Sequence, residues 1–364
     1  MNSLCDVIVL TWNQLEIIKN FINSFISTTS LPSRLIIIDN NSNDGTKEYL
    51  ISLKNTPSCH FQIILNKENK GFVGGMNQGI KISQAKYVCL ANNDVIFTKG
   101  WLEEIISIFE QNQKIGLVNP NSNTLGAVPP KRSYLEEFAQ DLRRKYKGVF
   151  VEMPFCVGFC MITKREVIEK VGGLSKEYLP MFFEDTDYSM KVKKEGYWVG
   201  VAKGSYVWHE EHASFKQWPK EKERVFLRSR ETFFKKWGKI LRIAFVLENI
   251  EDLEVCLEEL IDLARKGNFV WIFIKKQYIH WKDFFERKNL IEHLGINFVR
   301  YSNLFNLLWK ILKKKKKYSL IVMKNSNYIK IFRFFKLIHK AEVIDIKDDK
   351  RKKQVYLKKK FISI

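Results

Sequence analysis

The chain has 364 residues, 45% hydrophobic and 28% charged, with a formal net charge of +21, a balance that excludes a largely disordered polypeptide and leaves room for two domains. No run approaches the roughly 18 uninterrupted apolar residues of a membrane span, and the opening Met1-Asn2-Ser3-Leu4-Cys5-Asp6 lacks the basic and apolar regions of a secretory leader, so a cytoplasmic protein is expected. The six cysteines show no CxxC spacing; although Cys156 and Cys160 would share a helix face as metal ligands, reduced thiols packed in a core are expected.

In chain order, the run Asp6-Val7-Ile8-Val9-Leu10 predicts a buried strand, and Leu15, Ile18, Phe21, Ile22 and Phe25 recur at helical spacing. The unit repeats as Leu35–Ile38 before Asp39 with a helix from about Thr46, then as Phe61–Leu65 before Asn66 with a helix from about Val73. A fourth strand, Tyr87–Ala91, ends at Asn92. Strands alternating with helices predict a parallel sheet whose ligands sit beyond the carboxyl ends of the strands. Residues 120–150, with Pro120, Pro129 and Pro130 before a charged stretch from Lys131 to Lys147, predict a loop and a surface helix that could serve as a lid or acceptor-side insertion. A strand over Val157–Ile162, helices over Lys164–Val171 and Tyr188–Glu195, and a basic amphipathic helix over Arg224–Trp237 complete a first domain, residues 1–238.

A fresh alternation follows, with strands at 240–247, 268–274, 296–301, 318–323 and 341–346 and helices at 251–266, 278–294, 303–316 and 328–339. It predicts a second, doubly wound α/β domain over 239–364 without GxGxxG or GxxxxGK[ST], ending in a basic tail, Lys347 to Lys360, with one edge strand at Gln354–Leu357. This domain holds 29 Lys+Arg against 14 Asp+Glu, a surplus of +15, while residues 1–238 hold 32 against 26, a surplus of +6. Such asymmetry suits an anionic partner, a membrane face ahead of nucleic acid.

Polar residues collect at the expected strand ends. Asp39 opens a turn that Asp44 or Thr46 caps, and the glycine-rich Asn69–Gly79 segment opens a helix whose backbone N–H groups favour an anion. Asp94, with Asn92 beside it, is a natural oxygen ligand for Mg2+ or Mn2+. Each of these is individually an ordinary turn or cap.

Six ordered blocks alter that balance: Val7–Asn13, Ile38–Thr46, Asn69–Gly79, Leu90–Val95, Phe182-Phe183-Glu184-Asp185-Thr186-Asp187 and Val207-Trp208-His209. Across residues 5 to about 238 the chain resembles the family 2 inverting glycosyltransferases of the GT-A fold, especially the bacterial rhamnosyltransferase-like branch. The resemblance implies a GT-A mixed sheet and a nucleotide-sugar donor, UDP- or dTDP-linked. By it, Thr11 and Asn13 line the donor pocket, Asp39 accepts from the nucleobase, and Asn69 with Gly71, Phe72 and Asn77 flanks the nucleotide, while Asn92 and Asn93 also belong to the donor site. Asp94 matches the last acid of the family's DxD metal motif, although Asn92 stands where the first acid often does, and His209 would complete the metal shell. Asp185 matches the catalytic base, Glu184 would bind sugar or acceptor hydroxyls, and Asp187 would cap the following helix. Trp208 and Trp218 are candidate sugar-stacking rings and His212 a weaker metal ligand.

The expected activity is transfer of one sugar to a hydroxyl of a glycan, lipid-linked or protein acceptor. The alternative is a catalytically silent basic scaffold that keeps a sugar-nucleotide fold. For the second domain the expected role is docking near lipid-linked acceptors or pairing two chains in a homodimer.

Overall fold

The computed structural model describes residues 3–55, 59–211, 219–277 and 292–345. His212, Trp218, most of the helix expected at 278–294, and the basic tail with its edge strand lie outside them. The chain forms two units: residues 1–151 with 155–236, and residues 152–154 with 237–364.

In the first unit, β1 (Cys5–Thr11), α1 (Leu15–Thr28), β2 (Ser33–Asp39), α2 (Thr46–Ser52), β3 (Cys59–Leu65), α3 (Gly71–Ile82) and β4 (Tyr87–Asn92) form the expected alternation. These strands run parallel in the order β3-β2-β1-β4, in a register that sets Thr11 beside Asp39 and Asn92 beside Leu10. The central strands are covered on both faces, which is why β1, β2 and β4 read as nearly continuous apolar runs. Helix α1 buries Ile18, Phe21, Ile22 and Phe25, the stripe predicted by its periodicity.

The sheet then turns mixed. β5 (Val95–Phe97), α4 (Trp101–Gln111), β6 (Ile115–Asn121), α5 (Leu135–Tyr146), β7 (Phe150–Glu152), β8 (Cys160–Lys164), α6 (Arg165–Val171), α7 (Glu184–Lys194), β9 (Trp198–His209) and α8 (Pro219–Trp237) follow, and β8 runs antiparallel to β4 and β6. Pro120 sits in β6 at a register irregularity against β9, so a residue that reads as a strand breaker is accommodated by a bulge.

Two expected boundaries move. The strand predicted from Val157 starts at Cys160, because buried Asn119 hydrogen-bonds both the N–H and the carbonyl of Val157 and holds that stretch as a loop. Helix α7 starts at Glu184 rather than Tyr188, after Phe182 and Phe183 take φ values of 74° and 66°. Cys156 and Cys160 share no helix face: Cys156 lies in the loop, where burial pushes its thiol up to about 12, and the Cys160 sulfur lies 3.6 Å from that of Cys89.

The second unit is a five-stranded, all-parallel sheet in the order β12-β11-β10-β13-β14, built from β10 (Arg242–Val246), β11 (Phe269–Lys275), β12 (Ile296–Tyr301), β13 (Leu320–Met323) and β14 (Glu342–Asp345). Its helices are α9 (Ile250–Arg265), α10 (Leu304–Leu312), α11 (Ser326–Phe334) and α12 (Lys336–His339). One apolar cluster is built with Leu253, Leu257 and Leu260 of α9, the other with Leu307, Ile311, Ile329 and Phe332 of α10 and α11, the two-layer cover of a doubly wound fold. Helix α10 stops at Leu312 instead of running to 316, since the five consecutive lysines Lys313–Lys317 repel one another in a helix. No described helix is long and apolar enough to cross a membrane.

Helix α3 reaches the sheet through Gly75, where an added β-carbon would overlap the Leu10 side chain. Gly75→Val is therefore expected to destabilise the protein by about 1–3 kcal/mol, read as a lowered urea midpoint at unchanged m-value.

Candidate functional site

At the parallel edge, Asp39 ends β2 with its side chain fully buried. Its Oδ2 accepts the Ser42 N–H at 3.0 Å, while Oδ1 is buried without a hydrogen-bond partner among the described residues. A buried carboxylate oxygen left unpaired is costly, and a ligand N–H would satisfy it. Asn13, at φ 50°, receives the Asn43 N–H on Oδ1 and donates its own N–H to the Ser42 hydroxyl, tying the β1 and β2 loops together. Asp44 accepts from both the N–H and the hydroxyl of Thr46, but the N-cap of α2 is Gly45, at φ 91°, rather than the Asp44 or Thr46 expected.

A ladder of amides fixes the glycine-rich loop. Asn66 donates to Asn40 at 2.9 Å, Asn40 donates to the Asn69 oxygen at 3.0 Å, and that oxygen also receives the Gly71 N–H at 2.9 Å. Gly71 adopts φ 69°, and a β-carbon there would come within 2.8 Å of the Pro180 ring, so only glycine fits between the loop and the 179–183 turn. Asn77 spends both amide ends on the backbone of Leu174, which makes it an anchor for the loop after α6.

Asp94 and His209 are brought together by strand pairing. Val95 of β5 is the register partner of His209 at the end of β9, and His209 Nε2 lies 3.2 Å from Asp94 Oδ1. Thr124 and Phe159 hold the imidazole ring, and Asn123 holds the His209 backbone. Thr124 Oγ1 meets Nδ1 at 2.9 Å, the Asn123 amide bonds both the N–H and the carbonyl of His209 at 2.8 Å, and Phe159 stacks on the ring at 5.4 Å. The Asn123–Leu125 turn thus belongs to the insertion read as a lid, and one of its roles is to fix His209. This pair of oxygen and nitrogen donors is of a type that Mg2+ or Mn2+ accepts; among the described residues no group of three His, Cys, Asp or Glu side chains converges.

Asp185 lies in the first turn of α7. Its Oδ2 accepts the Gly158 N–H at 2.9 Å and its Oδ1 accepts the N–H and hydroxyl of Thr186. Burial raises its carboxyl above the usual carboxylate range, against the lowering effect of these hydrogen bonds. Glu184, beside it, is pushed up to about 8, first by burial and then by the Asp185 charge, and its Oε2 is buried without a hydrogen-bond partner among the described residues. Asp187 is no cap: fully buried, it receives Ser175 and Tyr178 hydroxyls and pairs with Lys236 at 2.9 Å.

The loop between β7 and β8 joins these groups. Asn92 N–H bonds the Phe159 carbonyl at 2.8 Å, Gly158 holds Asp185, and Ser189 of α7 links the Cys156 N–H to the Asp185 carbonyl. Thr11 and Asn93 stand at the parallel edge, where Asn93 Nδ2 reaches Gln14 at 2.8 Å and the Thr11 hydroxyl at 3.4 Å. Phe72 is half-buried at the start of α3. The indole N–H of Trp208 is buried without a hydrogen-bond partner among the described residues. Asn119, Asn123, Thr124, Gly158 and Phe159 carry no local sequence signal of this kind, because their roles exist only across contacts between distant segments.

Residues 6–172 match the Glycosyl transferase family 2 model. That match lies within the first unit apart from residues 152–154. The matched stretch contains Asp39 and Asp94, while Asp185 and His209 lie beyond it. An uncharacterized glycosyltransferase of Haemophilus influenzae is 31% identical over 112 residues, 31% of this chain and 34% of that protein. The poly-beta-1,6-N-acetyl-D-glucosamine synthase of Staphylococcus aureus is 26% identical over 201 residues, 54% of this chain and 47% of that protein. The chain thus spans about half or less of the length of these curated relatives. The fold of a Pyrobaculum calidifontis mannosyltransferase, solved with GDP-Man and Mn2+, aligns with TM-score 0.50 at 15% identity over 65% of each chain. GalNAc-T7, solved with UDP, GalNAc and Mn2+, aligns with TM-score 0.50 at 13% identity over 80% of this chain and 55% of that one. The fold is accordingly GT-A-like.

Glu184 makes stability depend on pH in a defined direction. Below its ordinary value of 4.5 the carboxyl is protonated in both states, and between 4.5 and about 8 the unfolded chain releases a proton that the folded state keeps. Its contribution therefore weakens as pH rises. Glu184→Gln is expected to gain in urea midpoint relative to the native protein from pH 5 to pH 8; a difference independent of pH would contradict this assignment.

Proposed function

We propose that the protein is an inverting, divalent-metal-dependent glycosyltransferase that moves one sugar from a UDP- or dTDP-sugar to a hydroxyl of a glycan, lipid-linked or protein acceptor. The observation that carries this reading is Asp185, held on both oxygens and joined through the Gly158–Phe159 loop to the Asp94–His209 pair.

One carboxylate suffices for a single displacement. Asp185 takes the proton of the acceptor hydroxyl as its oxygen forms the bond to C1 and the bond from C1 to the diphosphate breaks on the opposite face. The products are an inverted glycoside, a nucleoside diphosphate and a proton on Asp185. The raised affinity of Asp185 for a proton suits a base, and a protonated Glu184 can donate to a sugar or acceptor oxygen. Asp94 and His209 would hold the Mg2+ or Mn2+, whose chemistry there is to neutralise charge on the leaving diphosphate. The acids of this edge would otherwise repel such a donor. The Leu90–Val95 and Phe182–Asp187 blocks support assignment to the rhamnosyltransferase-like branch.

Asp39 Oδ1, buried without a hydrogen-bond partner among the described residues, would accept a nucleobase N–H. In Asp39→Asn the amide oxygen is claimed by the Ser42 N–H, which turns an NH2 toward the base. The donor KM is expected to rise about tenfold or more with kcat nearly unchanged.

Transfer should be measured over a panel of UDP-, dTDP- and GDP-sugars with Mn2+. Asp185→Asn is expected to lower kcat by about 10²–10⁴ while nucleotide still raises the melting temperature. Equal inertness of native and variant protein across the panel would instead favour the silent scaffold.

A further inference from the structure

The second unit exposes large apolar side chains that its core does not use. Leu337 is 90% exposed, Phe305 82% and Phe334 81%, with Trp309 at 57% and Ile338 at 52%. Phe305 and Trp309 are one turn apart on α10, roughly opposite the buried Leu307 and Ile311, so they form an outward stripe. Phe334, Leu337 and Ile338 lie at the α11–α12 junction, and α12 packs against α10. The five side chains therefore belong to adjoining elements.

The segment that carries them is cationic. From Leu304 to Lys340 the chain has eleven Lys and Arg and no Asp or Glu. Lys315, Lys316 and Lys317 follow α10, and Arg333, Lys336 and Lys340 flank the α11–α12 apolar group, all exposed. Soluble surfaces mix charge signs and scatter single apolar residues, whereas this one combines large apolar side chains with one sign of charge.

We propose that this face of α10 and α12 docks on an anionic phospholipid bilayer. Acidic headgroups match the lysines, and the headgroup–acyl boundary takes up the protruding Phe, Trp, Leu and Ile side chains. Nucleic acid would satisfy the lysines but leave Leu337 and Ile338 in water. A second copy of the chain would set like charges face to face. The last 19 residues, outside the described part, carry eight Lys and Arg against two Asp, the same sign again. Docking does not depend on which reaction the first unit performs.

The test is co-sedimentation of the full chain with phosphatidylcholine vesicles and with phosphatidylcholine–phosphatidylserine vesicles. Binding is expected only to the phosphatidylserine vesicles. Lys315→Glu combined with Lys316→Glu and Lys317→Glu, and separately Phe305→Ser combined with Leu337→Ser, should each weaken it by about tenfold or more at unchanged circular dichroism. Transfer to a water-soluble acceptor should not change, which separates failure of docking from failure of the enzymatic reading. The proposal is overturned by equal binding to neutral vesicles, by an apolar variant that binds like the native chain, or by a vesicle-free dimer that the apolar variant abolishes.

Discussion

The active edge depends on the grip of Asn119 on the loop before β8. That amide, fully buried at the end of β6, bonds both backbone polar groups of Val157 and so stops the strand from beginning there. The released loop offers the Gly158 N–H to Asp185, the Phe159 carbonyl to Asn92 and the Phe159 ring to His209. Segments spread over more than a hundred residues of chain are thereby fixed to one another by a ring stack and by hydrogen bonds that lie largely out of water, where an unmade bond is most costly.

The same edge gathers acids that a structural site would avoid. Asp39 and Glu184 each keep a buried carboxyl oxygen without a hydrogen-bond partner among the described residues, and burial pushes the Glu184 carboxyl up to about 8. Burial of this kind opposes stability and persists where the surrounding packing over-determines it. Here that packing includes the left-handed Phe182–Phe183 turn, which α8 covers through Phe226 and Phe233 and through the Ser229 hydroxyl on the Met181 carbonyl.

The two units divide the chain's chemistry. The first holds the polar strand ends, and the second buries its apolar clusters on both faces of a parallel sheet while its α10–α12 region stays cationic and apolar outside. Phe305 and Leu337 stand outside both of those apolar clusters.

The sequence by itself determined the alternation of strands and helices, the α/β class of both units and the strand-end positions of Asp39 and Asp94, because these follow from local periodicity and turn chemistry. It also singled out Asp185 and His209, through short blocks that resemble a known family. What it could not supply was β5 and β6, short or carrying Pro120, the start of α7 at Glu184, or the anchoring roles of Asn77 and Asp187. Tertiary structure alone set Val95 opposite His209 and turned Asn119, Asn123, Gly158 and Phe159 into the frame of the site. The reason is physical: periodicity reports what one segment buries, whereas an amide that clamps a backbone far along the chain acquires its role only when folding brings the two together.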